Sequence, residues 1–165
     1  MFGFSKKKSD TIEVLSPATG QVVALSDVDD AVFSTGNMGK GFGLEPTEDE
    51  ILSPVTGKVT LVAETKHALG IETAEGVDIL VHMGIDTVEL KGKPFEINVA
   101  VGQKVKAGQK VATMDVKQIQ EDKLKATIMV VATNTADMVD KVEMEVNKKC
   151  SAGNVIGKIK LKKEE

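Results

Sequence analysis

Three observations predict an all-β chain, a sandwich with internal pseudo-symmetry. From Thr11 onward, short runs rich in Val, Ile, Leu and Thr are broken at close intervals by Gly, Pro, Asn and Asp, the pattern of many short strands joined by turns. Helical periodicity is confined to two short stretches, 116–124 and 135–139. The chain also repeats itself. Leu15-Ser16-Pro17-Ala18-Thr19-Gly20-Gln21-Val22 returns as Leu52-Ser53-Pro54-Val55-Thr56-Gly57-Lys58-Val59, and Val105-Lys106-Ala107-Gly108-Gln109-Lys110-Val111 is echoed by Cys150-Ser151-Ala152-Gly153-Asn154-Val155-Ile156. Two single duplications are not the fixed-period array of a solenoid or propeller.

Residues 1–10 combine Phe2 and Phe4 with Lys6, Lys7 and Lys8. Such a segment is expected to be a flexible terminus; the other reading is weak contact with an anionic membrane surface, where each lysine contributes about 1 kcal/mol. Residues 11–165 are expected to form one domain, of a size that buries about 68–70% of the unfolded chain's surface. Pro17 and Pro54 each precede a glycine by three residues, marking a turn that feeds a strand. The glycine-rich stretch 38–43, MGKGFG, follows neither the dinucleotide nor the Walker pattern and reads as a turn between strands. Glu75-Gly76 is a turn between two further strands.

After that turn, Val77, Ile79, Val81 and Met83 share one parity and Asp78, Leu80 and His82 the other. An extended backbone therefore puts the apolar four on a core face and His82 on the opposite one. Gly84 lets the backbone turn or approach closely just beyond the histidine. Residues 126–132, ATIMVVA, read as a fully buried strand because the run is short and β-branched. Val142, Met144 and Val146 alternate with Glu143 and Glu145 as in a half-buried strand.

Composition narrows the function. A net charge of −4, 3% aromatics and the absence of Trp and Tyr leave neither the basic footprint nor the stacking platforms of a nucleic-acid binder. No apolar run approaches the ~18 residues of a spanning helix, and no secretory signal is visible. The lone Cys150 cannot form an internal disulfide, which agrees with a reducing cytoplasm, and its expected role is packing. All 21 basic residues are lysine, so phosphate would be held by imidazole, hydroxyl and backbone N–H groups, or by an arginine that a partner brings.

The two histidines, His67 and His82, are fifteen residues apart at strand edges, and a hairpin turning at Glu75-Gly76 would bring them face to face. Thr65 shares the parity of His67, so in an extended backbone its hydroxyl and the imidazole could hold one oxyanion. Neutral imidazole is a good nucleophile with a reference pKa of ~6.5. A partly apolar setting lowers that value and shields a labile phosphoramidate from water. One histidine would carry a phosphoryl group while the other, with the threonine, stabilises its oxygens. The rival is a metal site with Asp86 as third ligand, although the spacing matches no zinc signature.

KHALGIET around His67, VHMGIDTVELKG around His82, the paired LSPxTGxV turns and GQKVKAGQKV together resemble the glucose-family enzyme IIA component of the bacterial phosphoenolpyruvate-dependent sugar phosphotransferase system, over about residues 12–161. The resemblance implies an antiparallel β-sandwich, similar to a barrel-sandwich hybrid, with a few short helices. It implies His82 as phosphoryl acceptor through Nε2 and His67 as support for the phosphate. Thr65 would be the hydroxyl beside it, Gly84 would accept the Nδ1–H of His82, and Asp86 would sit on the rim. A docking face would draw on Val32, Phe33, Met38, Leu69 and Met83; Ala63 and Leu69 stand where some members carry phenylalanines. The implied donor is the phosphocarrier protein HPr and the acceptor a cysteine on the IIB domain of a sugar permease, served in trans by a cytoplasmic monomer. No cofactor is required, and zinc at His67 and His82 would belong only to a regulatory complex. Two other readings are a lipoyl or biotinyl carrier, for which Lys123 falls in a predicted helix rather than at a hairpin tip, and a metal-binding hydrolase, which lacks a convincing third ligand.

Overall fold

A computed structural model describes residues 10–163; the expectation for Phe2, Phe4 and the three lysines lies outside them. The strands in chain order are β1 (Thr11–Leu15), β2 (Gly20–Ala24), β3 (Lys40–Pro46), β4 (Glu50–Leu52), β5 (Gly57–Val62), β6 (Ala68–Thr73), β7 (Asp78–Met83), β8 (Phe95–Ile97), β9 (Lys104–Val105), β10 (Lys110–Met114), β11 (Ile128–Ala132), β12 (Val139–Met144), β13 (Lys148–Cys150) and β14 (Val155–Leu161). Between them lie the short helices α1 (Ala31–Ser34), α2 (Val116–Glu121) and α3 (Thr135–Met138), and 3₁₀ turns at Leu25–Asp27 and Thr87–Leu90. The ladders among the described residues are antiparallel. They make an eight-stranded sheet, β9-β5-β6-β7-β11-β3-β2-β13, and two three-stranded sheets, β4-β10-β8 and β12-β14-β1.

The duplicated turns are the seam of this architecture. Leu15 N–H donates to the Pro54 carbonyl (2.9 Å) and Leu52 N–H to the Pro17 carbonyl (2.7 Å), a reciprocal exchange. Each turn serine is fully buried and therefore needs a partner. Ser16 Oγ donates to the Ala18 carbonyl and Ser53 Oγ to the Val55 carbonyl, both at 2.6 Å. The second echo then closes each turn. Ser16 N–H reaches the Asn154 carbonyl and Ser53 N–H the Gln109 carbonyl, both at 2.8 Å, while Gly153 and Gly108 donate back to Ser16 and Ser53. Two copies of one device, bonded reciprocally, hold the sheets together.

All three sheets contribute to one core, with Val14 and Ile159, Leu44 and Ile79, and Phe95 and Met114 among its members. Along β7 the exposure alternates, Ile79, Val81 and Met83 being buried and Asp78, Leu80 and His82 partly exposed, as period two requires. The opposite face of the sheet carries a second, smaller cluster of Val28, Phe33, Ile85, Met129 and Val131, with Val23, Leu25, Met38 and Leu80 packed against it. Strand β11 is thus covered on both sides, and all of Ile128–Ala132 is buried, as a continuous apolar run implies.

Stretch 38–43 departs from expectation. Most of it is strand β3, not a turn, and two of its glycines serve close approach: a Cβ on Gly41 would stand 1.8 Å from the Val130 carbonyl oxygen and one on Gly43 2.6 Å from Val28 Cγ1. The alternation at Val142, Met144 and Val146 also stops short, because β12 ends at Met144 and Val146, in the following turn, is exposed. The predicted helix at 116–124 ends at Glu121, and Lys123 takes a left-handed backbone (φ 65°).

Candidate functional site

His82 is near the end of β7, with Ala68 of β6 and Met129 of β11 as its cross-strand neighbours. Both neighbours are buried, so the imidazole stands at the border of the smaller cluster. Phe33 closes it from above, its ring centroid 5.0 Å from that of His82 and tilted by 56°. α1 can carry Phe33 there because Asp30 caps it, Oδ1 accepting from Val32 N–H at 3.0 Å.

His67 comes from the loop joining β5 to β6. Thr65 and His67 were expected on an extended backbone; instead Lys66 between them is left-handed (φ 62°) and its N–H bonds the Ala63 carbonyl at 2.8 Å. The turn brings the pair together without shared strand parity: Thr65 Oγ1 lies 2.6 Å from His67 Nδ1. Met83 N–H bonds the His67 carbonyl at 2.7 Å, which fixes this loop against the end of β7. The two imidazoles meet edge to face with centroids 5.0 Å apart and an interplanar angle of 73°.

His82 Nδ1 is 3.0 Å from the Gly84 carbonyl oxygen. A carbonyl only accepts, so in the neutral ring Nδ1 carries the hydrogen and Nε2 keeps its lone pair. Gly84 has φ +86°, and a Cβ there would stand 2.2 Å from Thr87 Cγ2. Asp86 is exposed in a left-handed conformation (φ 61°) and opens the 3₁₀ turn Thr87–Leu90.

Burial lowers the pKa of both histidines from the ordinary value. For His82 the neighbouring His67 pushes the same way, whereas the Gly84 carbonyl and the carboxylates of Asp30 and Asp86 oppose it. The pair is therefore largely neutral near pH 7. Chemically, the arrangement offers one nucleophilic ring nitrogen and a second imidazole backed by a hydroxyl. Among the described residues no group of three or more His, Cys, Asp or Glu is placed to hold a metal ion; the two imidazoles could supply two ligands only. Lys123 follows α2 and is not at a hairpin tip.

The expected docking face needs correction. Val32 is exposed and Met38 half-buried, but Leu69 and Met83 are fully buried in the main core. Met83 has the core parity of β7, and Leu69 lies on the same face of β6, paired with Val81. Phe33 is itself 3% exposed and acts as a wall of the histidine site.

The sequence profile of the family described as phosphoenolpyruvate-dependent sugar phosphotransferase system, EIIA 1, matches residues 12–138. The chain belongs to this family. Among its EIIA relatives, the PTS system glucose-specific EIIA component of Staphylococcus epidermidis is 38% identical over 145 residues, covering 88% of this chain and 87% of that protein. The PTS system glucose-specific EIICBA component of Streptococcus pneumoniae is 45% identical over 154 residues; the match takes in 93% of this chain but 21% of that protein. The glucose permease IIA structure from Mycoplasma capricolum superposes with a TM-score of 0.81 at 34% identity, covering 91% of this chain and 96% of that one. The EIIA fold is thus the antiparallel sandwich expected. Among the described residues no helix is long and apolar enough to cross a membrane.

Two features of this EIIA site were not anticipated. Asp30 had a signal, an aspartate one residue before an apolar run, which is an N-cap pattern. Thr87, three residues beyond Gly84 and fully buried, had none.

Proposed function

We propose that this chain is the phosphoryl carrier of a sugar phosphotransferase system, glucose-type like the relatives named above, accepting phosphate on His82. What supports this reading best is the Gly84 carbonyl at 3.0 Å from His82 Nδ1. It leaves Nε2 as the nucleophile, and it stays in place as charge develops. Attack by Nε2 on the phosphohistidine of HPr breaks the donor's N–P bond and forms a new one on His82. The imidazole becomes an imidazolium whose Nδ1–H is held by Gly84. When a cysteine thiolate of a IIB domain attacks the phosphorus, the N–P electron pair returns to Nε2 and neutral His82 is regenerated. The Nδ1 proton never has to move.

His67 supports the phosphate on His82 and matters most as the phosphoryl group leaves for the IIB thiol. With the Thr65 hydroxyl donating to Nδ1, His67 Nε2–H is left to donate to a phosphoryl oxygen, a preorganised contact of the kind that stabilises transferring charge. Exclusion of water by Phe33 and the buried neighbours of His82 protects the phosphoramidate. No cofactor enters this cycle, and zinc shared by the two histidines belongs to the regulatory role alone. The chain works in the cytoplasm as a monomer, and Asp30 and Asp86 complement a cationic side chain of the donor.

Incubation with phosphoenolpyruvate, enzyme I and HPr tests this. An acid-labile, alkali-stable phosphate present on wild type and absent from His82→Ala is expected. No phosphate on wild type, with donors proven active on a known acceptor, overturns the proposal.

A further inference from the structure

The backbone that orients His82 consists of two consecutive peptide planes, and each is pinned at both ends. In the Met83–Gly84 peptide the N–H of Gly84 bonds the Thr127 carbonyl at 2.9 Å, and the Met83 carbonyl accepts from Thr87 Oγ1 at 2.5 Å. In the Gly84–Ile85 peptide the N–H of Ile85 bonds the Lys125 carbonyl at 2.9 Å, and the Gly84 carbonyl accepts from His82 Nδ1 at 3.0 Å. Two of these four bonds are backbone to backbone, and one is the interaction being positioned. The remaining bond comes from the Thr87 side chain, which is 0% exposed. Its methyl also fills the space beside Gly84, Cγ2 lying 2.2 Å from where a Cβ there would be. Met83 in turn donates to the His67 carbonyl, so the same residue links both histidines.

We infer that Thr87 is a positioning residue of the phosphoryl site: its hydroxyl, through the Met83 carbonyl, holds the Gly84 carbonyl on His82 Nδ1 and so keeps Nε2 unprotonated and nucleophilic. Without that bond the Met83 carbonyl is a buried acceptor lacking a partner, and the peptide pair gains freedom to rotate. His82 then loses its fixed acceptor and populates the other tautomer, in which Nε2 carries the hydrogen and cannot attack. The assignment deepens the carrier reading and rests on it only for its consequence to rate.

The test pairs two variants of the full chain. Thr87→Val keeps the shape and removes the hydroxyl; Thr87→Ser keeps the hydroxyl and removes the methyl. Nitrogen-15 NMR of the free protein at neutral pH reads the tautomer of His82, and the amide spectrum reports whether the fold is intact. In Thr87→Val a mixture of tautomers is expected, with phosphorylation from HPr about tenfold slower, the loss of one hydrogen bond's worth at the barrier. In Thr87→Ser the Nδ1–H tautomer and a rate within about twofold of wild type are expected. A pure Nδ1–H tautomer in folded Thr87→Val, or a mixture in Thr87→Ser, overturns the inference; should Thr87→Val not fold, the serine variant decides alone. Because the tautomer is read without phosphate, failure of the carrier reading would show separately, as a wild type that takes up none.

Discussion

Replacing Gly84 by alanine puts two separable costs on one position. The first is conformational: φ is +86°, and an L residue with a side chain pays about 1–2 kcal/mol in left-handed backbone. The second is steric. The new methyl would lie 2.2 Å from Thr87 Cγ2 and 3.0 Å from its Oγ1. Thr87 cannot swing away, being buried, β-branched and bonded to the Met83 carbonyl. Overpacking of this kind costs about 1–3 kcal/mol. The sum, about 2–5 kcal/mol, corresponds to a urea midpoint about 1–2 M below wild type for a chain of this size. The two costs largely separate in a double-mutant cycle, since Thr87→Ser removes Cγ2, the 2.2 Å clash, and leaves the backbone penalty with the milder 3.0 Å contact to the hydroxyl. In that background Gly84→Ala should cost only about 1–2 kcal/mol, a coupling of roughly 1–3 kcal/mol. Urea unfolding followed by circular dichroism measures all four proteins. A midpoint unmoved by Gly84→Ala, or an equal loss in both backgrounds, would refute the reasoning.

His67→Gln should still accept phosphate from HPr but pass it to the IIB thiol about 10²-fold more slowly, as expected when one preorganised donor is lost; rapid-quench measurement of the two half-reactions checks this, and equal losses would count against it. Because burial lowers both histidine pKa values, the unfolded chain binds protons that the folded one excludes. Stability should therefore decline as pH falls through about 6.5, and His82→Gln should flatten that part of the profile of urea midpoint against pH. Leu69→Ala should destabilise the fold by about 2–5 kcal/mol as a core truncation. Val32→Ala should change stability by less than about 0.5 kcal/mol while raising the KM for phospho-HPr, so that melts and transfer kinetics together separate core from surface.

Parity made the central strand legible: Val81 and Met83 against His82 needed only the two-residue period. The buried run at 128–132 and the turn at Glu75-Gly76 were legible for similar local reasons, and Gly76 has the positive φ (94°) such a turn needs. The His67–Thr65 contact was foreseen with the wrong geometry, because a left-handed Lys66 does not announce itself as a glycine would. α1 was missed because its four residues complete barely one turn and show no period. Gly41 and Gly43 were misread because glycine marks close backbone approach as readily as a turn, and only the partner, Val130 or Val28, tells which. Leu69 and Met83 carry a further lesson. The docking role came from resemblance, while the burial of Met83 followed from its own place in the alternation of β7.

The reciprocal bonds between the two duplicated turns also bear on how the chain acquires its shape. Pro17 must wait for Leu52, and Ser16 for Asn154, while among the described residues β1 pairs with β14. Neither repeat can close by itself, and the ladder between β1 and β14 joins segments far apart in the sequence. Contacts of such long sequence separation raise the loop-closure entropy to be overcome before any ladder is rewarded, so folding should be slow and all-or-none. Chains lacking β14 should leave the edge of β1 that β14 covers open to a second copy's strand.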